Sequence, residues 1–360
     1  MVSGLKIPAL TCKERFLRAA RCKPVDRVPV WIMRQAGRYL PEYQAVRAGH
    51  TFLEICKTPE LAAEVSLQPF RILGVDAIIV FSDILIVAEA MGLPLDVPDS
   101  GPVLSNPVHD SSAVRLLRDF DPDRETKFVG DAIRAICKQA GTDVPVIGFA
   151  AAPWTLACYM IEGRTRGDIS RAKEMLREQP HVVRELLDRI ARVTAEYLKS
   201  QIAAGASVVQ LFDTWAGELS PSEYHAFELP ATRQIFEALG GTAAVKTLFA
   251  KGSAPHLESL AKSGADVLSV DWKTGLAEAR RKLGRGIALQ GNVDPEILLG
   301  SEAEVRQAAA DAIAETAGIG HILNLGHGIL PGTPVANAKA FVEAGHEAPI
   351  SGQAELDEAS

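Results

Sequence analysis

The sequence is poor in cysteine, with five residues in 360. Cys12, Cys22, Cys56, Cys137 and Cys158 are scattered, odd in number, and form no Cys-x-x-Cys pair. A disulfide framework and a zinc knuckle are therefore not expected, and a reducing compartment fits. Long apolar runs are missing as well, so no membrane span is expected. There is no basic run, and the net charge is −7, which argues against nucleic acid as a partner. The opening residues lack a basic region followed by an apolar stretch, so no signal peptide is expected. Low-complexity segments and short repeats are also absent. An acidic chain that binds an anion must gather its positive charge locally, so clustered arginines gain weight here.

Eight short, continuously apolar segments are legible, at 28–33, 77–81, 144–149, 207–212, 244–249, 267–270, 287–290 and 321–325. Their apolar character does not alternate, as expected for strands buried on both faces. Helical spacing marks 171–176, 181–201, 223–239, 254–263, 276–283 and 302–316. Repeated βα units imply a parallel α/β sheet, and eight imply a single (β/α)8 TIM barrel of about 250 residues plus insertions. The excess falls between the second and third strands, where the Pro/Gly/Asp-rich stretch 93–107 predicts an inserted loop. One barrel domain is expected over 1–346. A small, polar, acidic tail over 347–360 is expected to be disordered. A doubly wound open sheet shares this alternation. The first strand is not followed by Gly-x-Gly-x-x-Gly, which weakens its dinucleotide-binding version.

In either architecture the ligand site lies at the C-terminal ends of the strands. After the first strand come Arg34-Gln35-Ala36-Gly37-Arg38. Two arginine forks suit carboxylates or phosphates, and Gly37 lets the backbone approach a ligand. The alternative is surface arginines in salt bridges. After the second strand, Asp83 interrupts an apolar run and must have a partner. It reads either as a helix N-cap or as a carboxylate facing a cationic or N–H-rich ligand. His327 stands between glycines after the last strand, thrown outward for a ligand or bonded to backbone. No other metal-ligand residue falls at suitable spacing around it, so no metal is expected. Tyr159 and Thr214 follow the third and fourth strands, where packing and capping are the plainer roles. Asp213 and Asp271 read equally well as rim salt-bridge residues.

Pro29-Val30-Trp31-Ile32-Met33-Arg34-Gln35-Ala36-Gly37-Arg38-Tyr39-Leu40-Pro41 resembles the N-terminal signature of the uroporphyrinogen decarboxylase family. Phe81-Ser82-Asp83-Ile84-Leu85, Ala152-Pro153-Trp154-Thr155-Leu156, Gly291-Asn292-Val293-Asp294 and Asn324-Leu325-Gly326-His327-Gly328 resemble that family's other blocks, in the same order. The resemblance runs from about Thr11 to His346. It implies a single (β/α)8 barrel, a cytoplasmic homodimer and no cofactor. The implied reaction removes four acetate carboxyls of uroporphyrinogen III as CO2, giving coproporphyrinogen III in porphyrin and haem biosynthesis. The implied substrate contacts are Arg34, Gln35, Ala36, Gly37, Arg38, Asp83, Tyr159, Thr214 and His327, with Asp83 and Arg34 catalytic. Thr214 departs from the serine common at that position, but keeps the hydroxyl on a stiffer side chain.

The implied chemistry needs an electron sink, which a pyrrole protonated at a ring carbon supplies for itself. An ionised Asp83 near the pyrrole N–H groups would stabilise that cation, while Arg34 and Arg38 grip carboxylates. Two rivals stand beside this reading. A zinc-dependent methyltransferase of similar barrel fold needs a His/Cys-type zinc site, and the cysteines do not flank strand-end histidines. A non-catalytic tetrapyrrole carrier shares the same arginines and aspartate, and only turnover separates it from an enzyme.

Overall fold

The computed structural model describes residues 8–37, 39–98, 101–164 and 168–350. Nine strands are found there: β1 (Ile78–Ile79), β2 (Leu95–Asp96), β3 (Val103–Leu104), β4 (Val146–Ala151), β5 (Val208–Asp213), β6 (Val245–Ala250), β7 (Val267–Val270), β8 (Ala288–Val293) and β9 (His321–Leu325). Seven of them form one parallel sheet in the order β1-β4-β5-β6-β7-β8-β9. Helices connect successive strands, among them Pro153–Glu162, Pro180–Ala203, Leu276–Leu283 and Glu302–Glu315. Sheet and helices enclose one continuous apolar core. Every residue of β4, β7 and β9 is buried, which is why these strands read as unbroken apolar runs rather than alternating ones.

The expected strand at 28–33 is the main departure. Only Val30 bridges, in parallel, to Leu323. The reason lies in the donors. Pro29 has no N–H, and side chains take most of the others. Val30 N donates to Asp76 Oδ2 at 2.9 Å, Ile32 N to Gln35 Oε1 at 3.0 Å and Met33 N to Asn324 Oδ1 at 2.8 Å. The segment still touches both edges of the sheet. Leu323 N donates to Pro29 O, Trp31 N to Leu323 O, and Asp76 N to Val30 O.

Four further expectations change. Segment 77–81 pairs as β1 over only two residues, and Phe81 N donates to Ser66 Oγ instead of a strand. The stretch 93–107 is not all loop, because it carries the antiparallel pair β2–β3. The helix expected over 223–239 is broken into a π-turn at Tyr224–Glu228 followed by Leu229–Ala238. Pro230 sits just past that break; it lacks an N–H and crowds the preceding turn. At the C-terminus the last helix runs to Glu347, and Ala348 and Ile350 pack on the core. The tail expected to be disordered therefore begins inside the fold. Its remainder, 351–360, lies outside the described residues.

The segment at 28–33 is anchored by Asp76, which has no exposed surface. Its carboxylate accepts from Arg15, Arg27 and His346 side chains and from Val30 N, at 2.7–3.1 Å. Burial alone would raise this carboxyl. The hydrogen bonds from His346 and Arg27, with the Arg27 charge, hold it far below the usual carboxylate range. A carboxylate depressed in the folded state contributes stability above its unfolded pKa and loses it on acidification. Asp76→Asn should therefore destabilise the protein by about 3–5 kcal/mol at neutral pH, because it removes the buried counter-charge that Arg27 and Arg15 share, leaving Arg15 with Asp26 alone. It should also flatten the loss of stability below about pH 4, as urea midpoints against pH will read. A variant with wild-type midpoints at neutral pH would contradict this anchor.

Candidate active site

The loop after residue 33 stands beside the loop after β9, because Ile329 N donates to Met33 O at 2.9 Å. Arg34 sits at the corner with φ +62°, a left-handed conformation costing a non-glycine residue about 1–3 kcal/mol. Its neighbour holds it there. Gln35 is fully buried, accepts from Ile32 N at 3.0 Å and donates to Ala77 O at 2.9 Å. Ala36 packs against the core, and Gly37 is buried with φ +149°. So Gln35 and Ala36 turn their side chains into the protein, leaving backbone as their part toward a ligand. Arg38 lies outside the described residues. The exposed Arg34 side chain lies directly over Gly328, where a Cβ would collide with Arg34 Cδ.

Asp83 follows β1, two residues past Phe81. Phe81 is fixed by ring contacts to Phe52 at 5.5 Å and Tyr43 at 5.7 Å. Asp83 does not cap the next helix, Ile86–Ala90, whose N-cap is Leu85. Its Oδ1 instead accepts from Leu85 N at 2.8 Å, closing an Asx turn. Among the described residues Oδ2 has no hydrogen-bond partner. Burial pushes the carboxyl up, while the Leu85 N–H and the Arg34 charge pull it back. Asp83 and Arg34 are thus within electrostatic range of each other.

His327 meets the Phe249 ring at 5.9 Å and the Trp272 ring at 6.3 Å, edge-on to both. Burial, then Arg34 and Lys251, push its imidazole down to about 4, so it is neutral at physiological pH. A line of rings continues across the sheet, from Phe249 to Phe212 at 5.9 Å and on to Phe149 at 5.7 Å. Alternate residues of a strand share a face. Thr214 therefore falls one step beyond Phe212 on the ring-bearing face, at the end of β5. Tyr159 is half-buried on helix Pro153–Glu162, which follows β4.

The other two aspartates are braces. Asp213 points off the ring-bearing face and accepts from Thr155 Oγ1 at 2.8 Å. Glu228, placed by the π-turn, accepts from Trp154 N at 2.6 Å and Thr232 Oγ1 at 2.5 Å. Burial raises both carboxyls, Asp213 to about 7. Asp271 accepts from Gly252 N, Ser253 Oγ and Thr274 Oγ1 at 2.7–3.1 Å. Neither aspartate forms a salt bridge among the described residues, so the rim ion pairs read as one option from the sequence are not there.

Sequence reasoning left several residues unweighed. Gln35 looked like part of a ligand loop, and nothing local signals its inward turn. The Phe149–Phe212–Phe249 line is visible only once the strands are in register. Lys251 was legible as a residue at the end of segment 244–249, two positions past it, but its neighbours were not.

A cation, a carboxylate, an imidazole and a hydroxyl stand at the ends of parallel strands. This is the arrangement of an α/β barrel-like enzyme with a strand-end site. Among the described residues no three His, Cys, Asp or Glu side chains are grouped to hold a metal, and no helix is long and apolar enough to cross a membrane.

Comparison with known proteins agrees on the fold and adds the family. The family model for uroporphyrinogen decarboxylase (URO-D) matches residues 11–348. The uroporphyrinogen decarboxylase of Pelobacter propionicus is 50% identical over 331 residues, covering 91% of this chain and 97% of its own. That of Coxiella burnetii is 47% identical over 338 residues, covering 92% and 94%. Among solved structures, a methyltransferase from Methanosarcina mazei superposes with TM-score 0.78 at 24% identity, over 94% of this chain and 99% of its own. A B12-independent methionine synthase from Shewanella sp. W3-18-1 gives 0.55 at 12% identity, over 92% and 96%. At those identities the likeness is one of fold. The chain belongs to the uroporphyrinogen decarboxylase family, and is by that membership a carboxy-lyase.

The seat of Arg34 on Gly328 is testable. Gly328→Ala must displace a flexible side chain rather than backbone, so the urea midpoint should stay near wild type. Turnover should fall, with kcat/KM down by about tenfold, equivalent to about 1.4 kcal/mol. Unchanged kcat/KM would mean that Arg34 works without that seat.

Proposed function

We propose that this chain removes the four acetate carboxyls of uroporphyrinogen III as CO2, leaving methyls and giving coproporphyrinogen III in porphyrin and haem biosynthesis. The observation that carries the reading is Asp83, a half-buried carboxylate with one oxygen unpartnered among the described residues, in the field of Arg34. A site built only to hold anions would not place a carboxylate there. A ligand with many carboxylates outside and N–H donors at its centre fits both charges. The same reading takes segment 29–33 as the eighth staves' worth of a closed (β/α)8 barrel. Its bonds to Leu323 and Asp76, at the two sheet edges, support that closure. A cytoplasmic homodimer belongs to this reading too.

Each cycle converts a ring-bound CH2COO⁻ and one proton into CH3 and CO2. A proton adds to the pyrrole ring carbon, and the ring becomes a cation. The C–COO⁻ bond breaks, its electron pair neutralises the ring, and CO2 leaves. A second proton then reaches the exocyclic carbon and the ring carbon gives its own back. The pyrrole is the electron sink, so the reading calls for no cofactor. Asp83 has the charge to stabilise the cationic ring where the positive charge develops. Arg34 and Arg38 hold carboxylates and fix the acetate in place. His327, neutral in the free protein, donates a hydrogen bond to a carboxylate rather than a permanent charge. Tyr159 and Thr214 bring hydroxyls to further side chains.

Anaerobic incubation with uroporphyrinogen III, followed by chromatography of the oxidised products, tests the reaction. Successive seven-, six-, five- and four-carboxyl porphyrins are expected. Eight-carboxyl material left unchanged by folded, substrate-binding protein would favour the carrier reading. Asp83→Asn should keep the fold and lower kcat by roughly 100-fold or more, since it removes charge stabilisation from the transition state. Near wild-type kcat would sink that role. Arg38→Ala should chiefly raise KM; a collapsed kcat with unchanged KM would point instead to a part in the chemistry.

A further inference from the structure

We infer that Lys251 is a further substrate-binding residue, gripping a carboxylate of the tetrapyrrole beside His327. The inference rests on the function proposed above and extends its cation set beyond the arginine loop.

Three observations carry it. First, Lys251 is aimed by its strand. It is the residue after β6, one alternation step beyond Phe249 and two beyond Thr247. Phe249 lies on the ring-bearing face, in contact with Phe212 and His327. Lys251 is the next side chain on that face, at the strand end where the site lies. Its charge reaches His327, whose imidazole it helps to keep neutral.

Second, its position is built. Lys251 N donates to Asp213 O at 3.0 Å, and Lys251 O accepts from Gly217 N at 2.9 Å. Gly252 follows with φ +72°, and a Cβ there would come within 2.7 Å of Gly217 Cα. Gly252 N is tied to Asp271 Oδ2 at 2.9 Å. The turn is therefore locked to the loops after β5 and β7, and only glycine fits at its corner. A loop held on both sides presents an exposed lysine with little freedom in its backbone.

Third, the charge is unmatched. Among the described residues no carboxylate lies within ion-pair distance of Lys251 Nζ, although Asp271 is close by in the chain of braces. Other exposed lysines are committed to a carboxylate, Lys57 to Glu89 and Lys173 to Glu218 among them. Three cations, Arg34, Arg38 and Lys251, do not neutralise eight carboxylates. Lys251 adds one from a different strand end, after β6, and its charge also reaches His327, so a ligand carboxylate there meets a cation and an imidazole N–H together.

The test uses the full-length protein and its kinetics. Lys251→Met keeps the apolar stem and loses the charge, and the backbone bonds of the turn do not need the ammonium. KM for uroporphyrinogen III is expected to rise about tenfold with kcat within about threefold of wild type, and Lys251→Arg should restore most of the loss. Inhibition by coproporphyrinogen III identifies the carboxylate. Equal weakening of substrate and product would assign a propionate, which survives the reaction. Weakening of substrate alone would assign an acetate. Unchanged KM in Lys251→Met would overturn the inference, as would a collapsed kcat at wild-type KM. Wild-type protein that leaves uroporphyrinogen III intact would overturn the underlying function instead.

Discussion

The register of segment 29–33 is the constraint on which the rest of the site depends. Both edges of the seven-stranded sheet bond to it, β9 through Leu323 and the β1 edge through Asp76, just before that strand. Asp76 holds the segment from outside with a buried carboxylate that four groups share. Trp31 holds it from inside, donating its indole N–H to Gln290 Oε1 at 2.9 Å, and Gln290 in turn donates to Gln210 and Ser269. A slip by one residue would turn Trp31 outward and Arg34 away from Gly328. Arg34 is strained in its backbone, and that strain persists because the braces on either side over-determine it.

The carboxylates of the strand ends divide by what they accept. Asp271 and Asp213 are committed to hydroxyls and N–H groups of neighbouring turns, and they hold the loops that carry Lys251 and Thr214. Asp83 and Asp213 each keep one oxygen without a partner among the described residues, but that of Asp213 is sealed in the interior, whereas Asp83 is only half-buried. Burial first, and then the charges of Arg34 and Lys251, keep the His327 imidazole neutral. Among the described residues, Arg34 and Lys251 thus stand at the strand ends with the half-buried carboxylate of Asp83. The ring line Phe149–Phe212–Phe249 adds an apolar surface on the same face.

Much of this was legible in the sequence because buried parallel strands write themselves as apolar bursts. The strands at 267–270 and 321–325 coincide with their bursts, and the residues that follow each burst are the ones that meet at the rim. The failures have a common physical cause. Segment 28–33 has the composition of a strand, but Pro29 and the side chains of Asp76, Gln35 and Asn324 replace its ladder, and those partners are remote in sequence. The break at Tyr224–Glu228 is local, yet helical periodicity survives a π-turn, so only Pro230 hints at it. The inward turn of Gln35 and the neighbourhood of Lys251 depend on tertiary contacts that no window of sequence contains. The motif block around Arg34 gave the family, whereas the division of labour among Asp83, Asp213 and Asp271 needed coordinates.

The central claim is that one carboxylate, Asp83, faces the nitrogen centre of a bound tetrapyrrole while the cations face its rim. The most direct measurement is a crystal structure of the protein with coproporphyrinogen III kept reduced under anaerobic conditions. The account predicts Asp83 Oδ2 within hydrogen-bond distance of the pyrrole nitrogens, with propionates directed to the Arg34 loop. A macrocycle bound with its nitrogens turned away from Asp83, or Asp83 in contact with a side-chain carboxyl, would contradict it.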